Sequence, residues 1–237
     1  MNYHIYKSVK NTNEKIKFIN SNYNQNLSNL ALFAQHQTHG RGRGNNLWIS
    51  KKGDFTSSFL FNKKLELSKL GQINILVVDR LIKLLEEKIV DVSFEFKWPN
   101  DIYFNEMKLA GILIETTIQK QEINSLIIGV GINFISCPKF EDKNTVRLRD
   151  FSQNISPLNL FFSLSLILEE YFDNFQNHDF SKLSKGLTLK ILKKDKIIKL
   201  KQNNQITNGK LIKVDEFGAL VLQTANGYEY FTYGETL

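Results

Sequence analysis

The spacing of apolar positions changes several times along the 237-residue chain, and each change marks an element. Tyr3 to Lys7 alternates apolar and polar residues, which predicts a first strand. Asn11-Thr12-Asn13-Glu14 offers capping side chains ahead of Ile16 and Ile19, so a helix starts near Thr12. Leu30 to Gln35 and Phe55 to Phe61 read as strands, separated by a polar, glycine- and asparagine-rich stretch from His36 to Gly53. From Leu67 to Ile89 the period becomes helical, with Leu70, Ile73, Val77, Leu81, Leu84 and Leu85 on one face, a core-packing helix without chemistry of its own.

Phe94, Phe96 and Trp98 then alternate with polar residues into a bend at Pro99-Asn100-Asp101. Ile102 to Phe104 is a short apolar run, Asn105-Glu106 a second break, and Leu109 to Ile114 is apolar on both faces, which predicts a strand buried on both sides. Ile123 to Ile132 is another buried strand. Ser136 to Arg149 lacks a period and reads as a long loop. Pro157 to Phe175 is a second long helix with proline in its first turn, and a shorter helix or turn runs to about Leu189.

After Ile191 the pattern becomes short strands, Lys196 to Leu200, Gly209 to Val214, Ala219 to Gln223 and Tyr228 to Thr232. Turns fall at Asn203-Asn204, Glu216-Phe217-Gly218 and Asn226-Gly227, which predicts a small barrel. The chain therefore divides into an α+β part over residues 1–190, a mixed sheet backed by helices, and a small β part over 191–237.

Composition narrows the class. A hydrophobic share of 42% and an aromatic share of 12% suffice for a packed core and exclude a disordered chain. The single cysteine, Cys137, rules out an internal disulfide and fits a reducing compartment. No apolar run reaches membrane-spanning length and the N-terminus lacks a signal-peptide core, so a soluble cytoplasmic protein without membrane association is expected. The net charge of +7 could serve nucleic acid, but it is mostly scattered lysine, and two of the few arginines sit in one glycine-rich block.

That block, Gly40-Arg41-Gly42-Arg43-Gly44, frees the backbone to wrap an anion and supplies bidentate donors. It has neither the ending of a Walker loop nor the spacing of a dinucleotide fingerprint. Lys108, at the mouth of the buried strand, is an ammonium suited to an anion. Gly111 inside the strand marks a place where a ligand or backbone approaches closely. Gly129 and Gly131 leave one face of the later strand bare, with Asn133 at its end. Asp101 and Glu115 are the acidic residues flanking the central hairpins, and either could serve magnesium; no His/Cys cluster suggests zinc.

Lys97-Trp98-Pro99-Asn100-Asp101, followed by Lys108-Leu109-Ala110-Gly111-Ile112-Leu113-Ile114-Glu115, resembles the signature of biotin protein ligases. The upstream Gly-Arg block and the downstream Gly129-Val130-Gly131-Ile132-Asn133 agree in the same order. The resemblance covers the middle of the chain closely and both ends loosely. It implies an SH3-like C-terminal barrel and an ATP-dependent, AMP-forming enzyme. Such an enzyme makes biotinyl-5′-AMP with Mg²⁺ and transfers biotin to a lysine of a biotin carboxyl carrier protein.

The resemblance further implies a biotin pocket of Asn11, Thr12, Gln37, Gly40, Arg41, Lys108 and Gly111. Its ATP and adenylate site is Arg41, Arg43, Trp48, Asn100, Asp101, Lys108 and Asn133. Lys108 and Arg43 are the catalytic candidates and Asp101 the metal candidate. Two departures stand out. Asn11 occupies a place where serine is usual, and Asn45-Asn46 replace a further arginine or glycine, leaving Arg41 and Arg43 as the loop's only cations. The first matching segment starts within the first fifteen residues, so a ligase without an N-terminal DNA-binding segment, and no DNA partner, is expected. A monomer and a homodimer are both compatible with the sequence. The rivals are a lipoate or octanoate ligase of the same fold and a basic nucleic-acid-binding protein.

Overall fold

A computed structural model describes residues 1–22, 29–44, 46–138, 144–203 and 205–237. Strand β1 (Asn2–Tyr6) lies parallel to β2 (Leu30–Ala34), with helix α1 (Thr12–Asn22) between them in sequence. A two-residue ladder, β3 (Gly40–Arg41) with β4 (Leu47–Trp48), forms a separate flap. Then come β5 (Phe55–Phe61), β6 (Leu65–Glu66), helix α2 (Leu70–Lys88), β7 (Glu95–Lys97), β8 (Asp101–Phe104), β9 (Met107–Gln119) and β10 (Glu122–Ile132). The main sheet runs β1-β2-β5-β10-β9-β8-β7, with β6 also paired to β10, and only the β1–β2 pair is parallel. Helices α3 (Pro157–Asp173) and α4 (Phe180–Lys190) complete this part.

Strand alternation assigns the two faces of the sheet different tasks. Phe33, Phe55, Phe59 and Phe61 join the large core with α2 and α3, and Phe161 of α3 stacks on Phe59 at 5.7 Å between ring centroids. On the opposite face Leu30, Leu32, Leu60 and Ile127 pack against Ile16 and Ile19 of α1. That face continues past Ile127 to Gly129 and Gly131, where apolar cover stops and the candidate site begins.

Leu109 to Ile114, expected to be buried on both sides, is buried on one. Leu109, Ala110 and Ile112 are in the core, whereas Gly111 and Leu113 are half-buried because they face an open cleft. The strand also runs longer, to Gln119. Its polar end pairs with β10 as an exposed ribbon that hydrophobic period could not reveal.

The last residues form β11 (Ile197–Gln202), β12 (Gln205–Val214), β13 (Leu220–Thr224), β14 (Gly227–Phe231) and β15 (Glu235–Thr236), in the order β14-β13-β12-β11-β15. The ladder is antiparallel and open, with β14 and β15 as its edges, where a barrel was expected to close. Of the three turns, Asn226-Gly227 carries positive φ at Gly227 (109°) and Glu216-Phe217-Gly218 at Gly218 (84°); Asn204 of the third lies outside the described residues.

Trp98 fastens this sheet to the rest. Its indole N–H donates to Gly218 O at 3.0 Å, and its carbonyl accepts from the Thr236 hydroxyl at 3.3 Å. Gly71 of α2 meets the Phe217 carbonyl so closely that a Cβ there would overlap it. Leu200, Leu211, Leu220 and Leu222 join the same core as the main sheet.

Candidate active site

A cleft of about 750 Å³ opens between the bare face of β9 and β10, the N-terminus of α1, the flap and the C-terminal sheet. The candidate biotin, nucleotide and catalytic residues line it except Gly40, which lies behind the flap in a second depression with His36, His39 and Lys10; Glu115, the other acidic candidate, is not in its lining and pairs instead with Asn13 and Arg41. Gly40 pairs with Trp48 there, and a Cβ at Gly40 would overlap the Trp48 carbonyl; its role is to let the flap fold.

The wall at α1 is made of buried neutral groups that fix one another. Asn11 caps the helix, its Oδ1 accepting from Glu14 N at 3.0 Å, and its amide donates to His39 O at 3.2 Å. An asparagine thus does the capping and ties the helix to the strand-end loop as well. Thr12 donates through both its backbone N–H (2.7 Å) and its hydroxyl (3.0 Å) to Gln37 Oε1. Asn13 takes the Ser58 hydroxyl on Oδ1 at 2.5 Å and donates to Glu115 Oε2 at 2.8 Å.

The glycine floor is less bare than the sequence implied. The Asn13 amide lies over Gly129, with its Oδ1 only 2.6 Å from where a Cβ would be, and the Trp48 indole covers Gly131. At Gly111 the close approach comes from side chains, Trp48 (3.1 Å) and Asp101 (3.2 Å), not from backbone. Any larger residue at these positions would close the cleft. One buried donor that lines it, the Trp48 indole N–H, has no partner among the described residues; the Ser57 hydroxyl, also without one, lies on the other face of β5 with Phe55 and Phe59. Such groups are costly unless a ligand or water takes them.

The charged groups occupy the other half. Lys108 Nζ pairs with Asp101 Oδ2 at 2.5 Å and stands 5.6 Å from the Trp48 ring centroid. Its backbone is held firmly: Lys108 N donates to Asn144 O (2.9 Å), and its carbonyl accepts from Val146 N (3.0 Å) and the Asn133 amide (3.1 Å). Asn100 is likewise locked, its amide donating to Ile112 O at 2.6 Å.

The two flap arginines differ. Arg41 is half-exposed and lies between two carboxylates, Glu14 at 3.1 Å and Glu115 at 3.5 Å. Arg43 is turned inward, donating to Asn100 Oδ1 at 3.4 Å and to Gly234 O at 3.3 Å. Burial lowers its pKa from the usual arginine value, against the opposing pull of Asp101 and Glu235. Asn45, between the arginines and Trp48, lies outside the described residues.

Two groups that shape the cleft left no trace in sequence pattern. Asp54, buried, accepts on Oδ1 from the backbone N–H groups of Phe134 (3.0 Å), Ile135 (2.9 Å) and Ser136 (3.0 Å), and on Oδ2 from Lys51 N (2.7 Å). It thereby fixes the chain leaving β10 just after Asn133. The roof of the cleft is the second: Lys201, Gln202, Asn203 and Tyr233 to Thr236 all come from the C-terminal sheet. A turn aspartate and a lysine-rich strand carry no period or motif that signals either role.

The comparisons with known proteins match this arrangement. The profile of the Biotin/lipoate A/B protein ligase family covers residues 5–133, and that of the Biotin protein ligase C terminal domain covers residues 195–235. The chain is 27% identical over 229 residues to the bifunctional ligase/repressor BirA of Bacillus subtilis, across 94% of this chain and 70% of that protein. It is 34% identical over 113 residues to the biotin–protein ligase of Homo sapiens, across 44% of this chain and 15% of that one. The solved biotin protein ligase from Aquifex aeolicus in complex with biotin and ATP superposes with a TM-score of 0.81, at 27% identity, covering 100% of this chain and 97% of that one. With more than half its length in the first profile, the chain belongs to the Biotin/lipoate A/B protein ligase family.

Proposed function

We propose that this protein is an ATP-dependent biotin–protein ligase, forming biotinyl-5′-AMP and passing biotin to a lysine amine of a biotin carboxyl carrier protein. The observation that carries the reading is a single cleft with two unlike halves joined at Lys108. One half is neutral, buried and amide-lined. The other holds Arg43, Lys97, Lys108 and Lys201. The reading also rests on relatives and solved structures whose names record biotin protein ligases, one of them with biotin and ATP.

A ureido ring is a small neutral set of donors and acceptors. The fixed groups of Thr12, Gln37 and Asn13 match that chemistry. The glycine floor lets the Trp48 indole lie flat on the sheet as an apolar wall for the ligand's chain. The ligand carboxylate then reaches Lys108, and the nucleotide occupies the cationic half.

A carboxylate oxygen attacks the α-phosphorus of ATP, the bond from that phosphorus to the bridging oxygen breaks, and pyrophosphate leaves with the electron pair. Two anions must meet, so the work is positioning and charge stabilisation. Lys108 neutralises both at the junction; its pairing with Asp101 keeps the ammonium in place until they arrive. In the second half-reaction the carrier amine attacks the acyl carbon, AMP leaves, and the amine's proton passes to solvent. The flap covers the mixed anhydride meanwhile.

The donor set fits a magnesium ion carried by phosphates. Asp101 is already paired with Lys108, and no group of three or more metal-binding side chains occurs among the described residues. Asp101 would lend one carboxylate oxygen, and the ion would supply charge neutralisation on the departing phosphates. We assign ligand binding and chemistry to residues 1–190 and closure of the nucleotide half to residues 191–237.

The test is incubation with biotin, MgATP and a biotin carboxyl carrier domain, reading the carrier's mass, beside parallel samples with lipoate and octanoate. One biotinyl group on one lysine is expected. Modification by lipoate or octanoate alone would reassign the substrate, and no modification by any acid would end the reading.

A further inference from the structure

We propose that Lys201, a side chain of the C-terminal sheet, holds the distal phosphates of the nucleotide, the part that leaves as pyrophosphate. This rests on the ligase reading and adds a residue and a role to it.

The argument begins with the charges that line the cleft. Five cationic side chains face two acidic ones, Asp101 and Glu235, an excess of three positive charges that suits a polyphosphate. Most of the cations are already engaged. Arg41 sits between Glu14 and Glu115, Lys108 on Asp101, and Arg43 between Asn100 and Gly234, with Asp101 and Glu235 pulling on its charge. Lys97 lies 5.6 Å from the Tyr103 ring centroid and has further interactions. Lys201 has neither a carboxylate nor a hydrogen-bond acceptor among the described residues.

Its backbone, by contrast, is fixed on both sides. In the ladder Lys201 pairs with Ile206 of β12 and Glu235 of β15. Its neighbour Gln202 donates to Tyr233 O at 2.7 Å, and a Cβ added at Gly234 would stand 3.0 Å from the Lys201 carbonyl. A cation on a pinned strand at the rim of a cleft, with Glu235 opposite it in the ladder but no ion pair formed among the described residues, is available to an anion.

Position selects which anion. Lys108 and Asp101 mark the floor, Arg43 bridges from Asn100 there to Gly234 in the roof, and Lys201 lies across the roof ladder from Glu235, next to Gly234. The attacking carboxylate at Lys108 and an α-phosphate beside Arg43 put the remaining two phosphates toward the roof. Lys201 is the roof cation there.

The experiment is biotin-dependent ATP–pyrophosphate exchange with the full chain, comparing wild type with Lys201→Ala, Lys201→Glu and Lys199→Glu. Lys199 lies two residues along the same exposed side of β11 but does not line the cleft. Lys201→Ala should raise KM for both ATP and pyrophosphate about fivefold to tenfold, as loss of one partly solvated charge-assisted contact does, and Lys201→Glu should raise both further. Binding of a non-hydrolysable biotinyl-adenylate analogue, which lacks the distal phosphates, should be unchanged in all variants, and Lys199→Glu should behave as wild type. Wild-type KM values in both Lys201 variants would overturn the proposal. So would a parallel loss of analogue affinity, which marks a structural role, or an equal effect of Lys199→Glu, which marks a diffuse surface field. Wild-type enzyme that failed to exchange pyrophosphate with biotin present would overturn the ligase reading together with this one.

Discussion

The α1 end of the cleft is lined by neutral groups that spend most of their hydrogen bonds on each other, the roof end by charges. Thr12, Gln37, Asn13 and Ser58 are buried and paired at 2.5 to 3.0 Å across segments far apart in sequence. Arg43, Lys97 and Lys201 are partly or wholly exposed, on the flap, at the end of β7 and on a second sheet, whereas Arg41 stays at the α1 side between Glu14 and Glu115. The difference follows the ligands. A neutral heterocycle is told from water only by correctly placed donors and acceptors, which must be rigid. A polyphosphate is attracted over several ångströms by net charge and tolerates looser placement. Lys108 lies where the two modes meet, and it alone among the cleft cations has both a fixed backbone and a carboxylate at 2.5 Å.

That comparison can be broken most directly at the junction. Lys108→Ala should lower the rate of adenylate formation in single turnover by about 10²-fold or more, because the cation acts on charge that develops in the transition state. Asp101→Asn in the same chain should recover part of the loss, since it removes the carboxylate left unpaired beside the phosphates. Near-normal adenylation by Lys108→Ala would mean that the lysine only caps the strand.

Asp54→Ala probes the support beneath the junction. Three backbone N–H groups, two of them buried, would lose their acceptor. Urea unfolding should show a loss of about 2 kcal/mol or more, water entry offsetting part of the cost. An unchanged midpoint would show that the loop after β10 finds other partners.

At the neutral end, Thr12→Val removes the hydroxyl donor to Gln37 while keeping shape. Biotin affinity by calorimetry should fall about tenfold, with KM for ATP unchanged. A change in ATP rather than biotin would exchange the two ends.

At the flap, Arg43→Gly cuts the contacts to Asn100 and Gly234. Escape of the reactive adenylate should rise about fivefold, within the effect of losing one charged contact. It would be read as biotinylation of albumin by mass spectrometry, with biotin and ATP still consumed. Equal labelling by wild type and variant would place the latch elsewhere. The smallest expected effect is of salt: a roughly fourfold rise in ionic strength should raise KM for ATP about threefold and leave biotin affinity unaltered. Equal sensitivity at both ends would erase the distinction between them.

The sequence by itself determined the element order and the chemistry of the central stretch. Phe94, Phe96 and Trp98 alternate into the core as read, Asn11 caps α1 as its residue type allows, and the Gly-Arg block forms the flap. These are properties of side chains set by neighbours within a few residues, so a linear pattern carries them. What only the tertiary structure decided are pairings across long stretches of chain. Asp54 meets Phe134 to Ser136, Arg43 meets Gly234, Trp98 docks on Gly218, and Lys201 arrives at a cleft whose floor is nearly a hundred residues earlier. It also decided that the bare glycine face would hold Asn13 and Trp48, and that Arg41 would meet two carboxylates where Arg43 meets none within ion-pair distance among the described residues. The physical reason is the same in each case. A hydrogen bond or ion pair depends on where two groups end up in space, and the sheet order that brings them together leaves no period in the residues themselves.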